Sequence, residues 1–106
     1  MSGYLLIESR DPFESKGFSQ RCEMAMTLLG ESSGVTMLLV ENAVLGARAG
    51  ARAPGLEKLA KAGVRLLADE FALRERGITQ LAPSISSVGL DTVIGELAGG
   101  AKTMWN

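Results

Sequence analysis

The sequence holds a single cysteine, Cys22, and no histidine. A lone thiol can still do one kind of chemistry: as a thiolate it accepts a sulfur atom as a persulfide and passes it on by exchange. Such a cysteine is expected to be partly exposed, in electropositive surroundings, and near a helix start. Lys16 and Arg21 lie close in sequence, which favours thiolate. Cys22 also shares a three- and four-residue spacing with Phe18 and Ala25, which is how a small core residue on a helical stripe reads. Carrier and core residue therefore both stand for Cys22. The absence of histidine removes the commonest general base and metal ligand, so a hydrolase triad, a zinc site or any other metal centre is not expected.

The second residue of interest is Asp69, inside a stretch, 63–78, that reads as a strand running directly into a short helix. Val64, Leu66 and Leu67 supply the apolar bulk of a buried strand. Asp69 stands where a helix N-cap accepts first-turn amides, and Gly77 where a left-handed C-terminal cap is wanted. In a parallel α/β sheet such strand-to-helix turns gather along the carboxyl edge, where ligands are usually held. The turn at Ser9, Arg10, Asp11, Pro12 and Phe13 belongs to the same rim, and so do Glu41 and Asn42.

Two ligand chemistries of such a rim fail on these residues. A phosphate cradle needs a Gly-rich loop ending in Lys-Ser/Thr, or a hydroxyl- and glycine-rich turn after the first strand, and 9–13 offers neither. Flavin and nucleoside triphosphate are therefore not expected, and no cofactor is. A phosphoacceptor site would need acidic residues after the first strand, an aspartate ending the third and a lysine after the fifth. Asp11, Asp69 and Lys102 imitate this, but Lys102 opens the last strand instead of following it, and Glu8 lies within the first.

These residues must be positioned by alternating strands and helices. Tyr4 to Glu8 reads as a first strand, 15–30 as a helix whose buried face is Phe18, Cys22, Ala25 and Leu29, and 35–40 as a strand covered on both faces. Glu14, Lys16, Gln20, Arg21 and Glu23 are assigned to the helix's other side. A short helix is expected over 41–50, then a small, basic segment, 46–55, with Arg48 and Arg52. That segment reads as a mobile loop for an acidic partner or phosphate, or more plainly as a helix end with solvated arginines. Pro54 suits the first turn of a further helix with Leu56, Leu59 and Ala60 buried and Gly63 closing it. The pattern loosens over 79–84. A brief strand at 85–88, a helix at about 90–97 and a last edge strand at 102–105 complete the chain.

The alternation predicts an α/β fold: a small flavodoxin-like three-layer sandwich with a mostly parallel, about five-stranded sheet. With 106 residues, 46% hydrophobic, 22% charged and a net charge of -1, one domain over 1–106 is expected. The near-neutral charge disfavours direct nucleic-acid binding. No apolar run approaches the roughly 20 residues of a membrane span. The N-terminal residues enter a strand pattern without a basic leader, and the single cysteine fits a reducing compartment, so a cytoplasmic protein is expected.

Four motifs in order carry a resemblance: Asp11-Pro12-Phe13 after the first strand, Leu38-Leu39-Val40-Glu41-Asn42, Ala72-x-x-x-Arg76-Gly77-Ile78, and Met104-Trp105. Together, across nearly the whole chain, they resemble the DsrE/DsrF/DsrH-like sulfur-relay superfamily, and within it the short DsrH or TusB type. In that superfamily the DsrE-type subunit carries its sulfur-accepting cysteine seven residues before the Arg-Gly pair. Here that position is Asp69. DsrH-type subunits lack that cysteine and can carry one in the first helix, where Cys22 falls.

The resemblance implies a cytoplasmic subunit of a sulfurtransferase hetero-oligomer with DsrE- and DsrF-like partners, handing sulfur to a DsrC- or TusE-like carrier. The end use is oxidation of stored sulfur in one branch and transfer-RNA thiolation in another. The expected role is interface and scaffold, with Cys22 as a persulfide site and Asp11, Phe13, Asn42, Asp69 and Arg76 on the rim. Two alternatives stand beside it. One is a structural or regulatory interaction module, self-associating or partnered, in which Cys22 is core. The other is a small-molecule-binding flavodoxin-like domain using the rim. Partner binding has an argument of its own in Trp105 and Met104 on an edge strand, unless Trp105 folds back onto the helix at 90–97.

Overall fold

The computed structural model describes residues 3–31, 34–53, 55–89, 91–93, 95 and 99–105. Five strands alternate with helices: β1 (Tyr4–Glu8), α1 (Lys16–Glu31), β2 (Val35–Leu39), a 3₁₀ helix (Glu41–Ala47), α2 (Leu56–Ala62), β3 (Arg65–Asp69), α3 (Glu70–Glu75), β4 (Ile85–Val88) and β5 (Lys102–Trp105). These five strands pair in parallel with one another, in the order β4-β3-β2-β1-β5. The expected parallel α/β sandwich of five strands is thereby found. The alternation left the strand order open.

That order explains where the core sits. Three successive crossovers step along the sheet in one direction, and right-handed connection places their helices on one face. On this face Leu6, Met37, Leu39 and Leu66 meet Phe18, Cys22 and Ala25 of α1, Leu59 of α2 and Leu73 of α3. The crossover into β5 returns past the whole sheet and covers the other face. There Leu5, Ile7, Leu38 and Leu67 pack with Val88, Ala101 and Val93, the last in residues 91–93, which are helical. Every residue of β2 is buried because it lies third of five, as the unbroken apolar run required. Leu90, Ile94, Glu96 and Leu97 of the helix expected over 90–97 lie outside the described residues, as does Pro54.

Three local expectations are corrected. The helix over 41–50 is a 3₁₀ helix ending at Ala47. The segments that looked loose are pinned to each other: Arg48 bridges Leu81 in antiparallel fashion, Ala49 N donates to Gln80 O at 2.8 Å, and Ala82 N donates to Ala47 O at 2.9 Å. Arg21, assigned to the outward side of its helix, is instead turned inward and its side chain is only 16% exposed.

Candidate functional site at the carboxyl edge of the sheet

The rim is built by the turns that leave β1, β2 and β3. After β1, Asp11 shapes its own loop: its Oδ1 accepts from Phe13 N at 2.9 Å, and its carbonyl accepts from Glu14 N and Ser15 N. This delivers the chain into α1 and leaves Phe13 exposed. After β2, Val40 N donates to Glu8 O at 2.9 Å, and Glu41 takes a positive φ of 48°. A polar hollow of about 630 Å³ lies between the two turns, with Asp11, Glu14 and Lys16 on one side and Glu41 and Asn42 on the other.

After β3, Asp69 is the N-cap the sequence called for, its carboxylate accepting from Ala72 N at 3.1 Å. Gly77, φ 65°, takes the left-handed position past the end of α3 that a side chain would strain. Arg76, beside it, turns back across the rim: Nη2 donates to Asn42 Oδ1 at 3.0 Å and Nη1 to Ala72 O at 3.1 Å. Thus the structure joins Asn42 to Arg76 and places Asp11 and Asn42 on one hollow. Asp69 is engaged in capping.

Cys22 lies beneath this rim and is 7% exposed. Its Sγ faces the turn at Gly55, where a Cβ would stand 3.0 Å away. Gly55 has φ 86° and opens α2, so the chain can pass this closely over the sulfur. Burial pushes the Cys22 thiol up to about 11, with the negative charge of Glu8 adding to the effect. These surroundings oppose a thiolate.

Glu8 and Arg21 are the residues that sequence reasoning missed here. Glu8 is fully buried, and Arg21 Nε donates to its Oε2 at 2.6 Å. The same guanidinium donates through Nη2 to Met104 O at 3.2 Å, so one side chain ties α1 to β1 and to the edge strand β5. A signal was present: a carboxylate ending an apolar strand demands a cation, and Arg21 stands three residues after Phe18, on the flank of the buried stripe.

Among the described residues three large apolar side chains remain exposed, and all three lie toward the carboxyl edge. Phe13 follows β1 and is 46% exposed, Phe71 opens α3 after β3 at 58%, and Trp105 ends β5 at 69%. Trp105 is therefore not folded away. Among the described residues no helix is long and apolar enough to cross a membrane.

The chain is similar in fold to the ychN protein from E. coli, with a TM-score of 0.85, all of both chains covered and 19% identity. It is also similar to MTH1491 from Methanobacterium thermoautotrophicum, a protein of unknown function, with a TM-score of 0.76, 99% of this chain and 98% of that one covered, and 16% identity. At such identities the likeness is one of fold. No family model and no curated protein matches the sequence.

Proposed function

We propose that this chain is an assembly subunit, of DsrH or TusB type, in a cytoplasmic sulfur-relay complex with DsrE- and DsrF-like subunits. The observation that carries this is the rim: Phe13, Phe71 and Trp105 stand exposed along the edge of the sheet that also holds Asp69 at the position of the relay cysteine. Aromatic side chains concentrate in interface cores, so this edge is the one expected to meet a partner. The order of the four motifs along the chain and the parallel α/β fold support the same reading.

In this role the subunit frames the path of sulfur to a DsrC- or TusE-like carrier. Its own thiol is a secondary route. For Cys22 to take up sulfur, the thiolate must attack the sulfane sulfur of a donor persulfide. The donor's S–S bond breaks, its thiolate leaves, and the Cys22 persulfide forms with no net change in oxidation level. The raised pKa and the covering Gly55 turn confine that step to a state in which α1 and the turn have parted. The same burial favours, as a second reading, an interaction module with no sulfur chemistry.

Reconstitution separates them. Sulfur delivered to the carrier is measured in a complex of DsrE- and DsrF-like subunits with the native chain, with Cys22→Ala, and without the chain. Transfer that needs the chain and survives Cys22→Ala supports the scaffold role. Transfer indifferent to the chain overturns it.

A further inference from the structure

A cleft of about 560 Å³ opens between α2 and residues 82–85, within the size range of small-molecule sites. Its floor and walls are apolar, formed by Ala53, Leu56, Ala60 and Ile85. It is held open by the pinned segments described above: residues 47–49 are bonded to 80–82, so the wall between the 3₁₀ helix and β4 does not depend on a ligand to form.

Three ionic side chains line the cleft: Arg52, Glu57 and Lys61. Glu57 and Lys61 pair with each other along α2 at 3.3 Å. Arg52 is left over: it makes no hydrogen bond or ion pair among the described residues, and its backbone is held at φ 52°, a left-handed conformation that side-chain-bearing residues seldom adopt. The lining is thus apolar with one uncompensated cation, and its complement is a molecule with an apolar body and a single negative charge.

We propose that this cleft binds a small amphipathic monoanion of the alkyl carboxylic acid class, with its carboxylate on Arg52 and its chain against Ala53, Leu56, Ala60 and Ile85. The planar guanidinium suits a carboxylate, and a monoanion leaves no surplus charge. The proposal rests on the cleft alone and is independent of the sulfur-relay reading.

Octanoate titrated into the isotope-labelled native chain, followed by two-dimensional NMR, tests it. The expected result is saturable shifts centred on Ala53, Leu56, Ala60 and Ile85. Octanamide, of equal length but uncharged, binds about tenfold more weakly, and Arg52→Ala weakens octanoate by about the same factor. Ala60→Phe, which fills the cleft, removes binding. Should Ala60→Phe fail to fold, the exposed position of Arg52 keeps Arg52→Ala decisive. The proposal is overturned by an absence of saturation at millimolar octanoate, or by equal affinity for octanamide. It is equally overturned by inorganic phosphate shifting the same resonances as strongly, or by a second copy of the chain covering the cleft in solution.

Discussion

Arg21 Nε stands 2.6 Å from Glu8 Oε2, joining the first helix to a carboxylate that is wholly buried at the end of the first strand. Because the guanidinium also reaches Met104 O, this contact orients the helix that carries Cys22 and holds the edge strand that carries Trp105. A buried ion pair contributes little net stability over an apolar replacement, but removing one partner leaves a charge stranded.

Arg21→Ala should therefore destabilise the fold by about 3 kcal/mol, whereas Glu8→Gln should cost about 1 kcal/mol, because the amide oxygen still accepts from Arg21, whose cation keeps Met104 O and some contact with water. Urea unfolding measures both. In Arg21→Ala the amides of β5 should exchange faster than those of β2, since the edge strand loses its tie to α1. Equal stability of Arg21→Ala and the native chain would mean that the pair does not hold these elements.

The thiol of Cys22, raised from 9.0 to about 11, should alkylate about a hundredfold more slowly at pH 8 than a thiol of ordinary acidity. Alkylation should reach the ordinary rate on unfolding. The linked effect on stability has a definite sign. Below about pH 9 both folded and unfolded states hold the neutral thiol, and its contribution is fully present. Between about 9 and about 11 only the unfolded thiol ionises, so stability falls as pH rises. Cys22→Ala should lose less stability across that window than the native chain.

Gly55→Ala tests the roof over the sulfur. The new methyl meets Cys22 Sγ at 3.0 Å on a backbone of φ 86°, and the left-handed conformation alone costs about 1–2 kcal/mol. We expect a loss of about 2 kcal/mol or more by thermal or urea unfolding. Combining it with Cys22→Ala should recover the steric part, leaving the backbone part. Strict additivity of the two substitutions would show that the sulfur and the turn are not in contact.

Asp69→Ala removes the acceptor for Ala72 N and should cost about 1 kcal/mol, and Asp69→Asn, which can still accept, clearly less. Hydrogen exchange at Ala72 should quicken in the alanine variant. No change at Ala72 would argue that Asp69 is not acting as a cap.

What was legible in the sequence were features set by neighbours along the chain. The five strands fell where apolar runs and glycines put them, Asp69 and Gly77 framed α3, and Phe18, Cys22 and Ala25 formed one buried stripe because helical spacing alone brings them together. What was not legible depends on distant partners. The order β4-β3-β2-β1-β5 is decided by how each crossover folds back, which alternation does not encode. Arg21 looked solvated because its partner is thirteen residues away on another element, and the stretch 79–84 looked loose because its hydrogen bonds go to residues 47–49. The bond from Arg76 to Asn42 spans 34 residues, so the sequence could place both on the rim without showing that they meet.

Sulfur transfer in the reconstituted complex decides whether this chain is needed for the relay. A persulfide donor is supplied to DsrE- and DsrF-like subunits, and the sulfur gained by a DsrC- or TusE-like carrier is read by intact mass. Transfer is expected only when this chain is present, with Cys22→Ala as effective as the native chain and a triple substitution of Phe13, Phe71 and Trp105 by serine abolishing both assembly and transfer. Undiminished transfer without the chain, or full assembly by the triple variant, would contradict it.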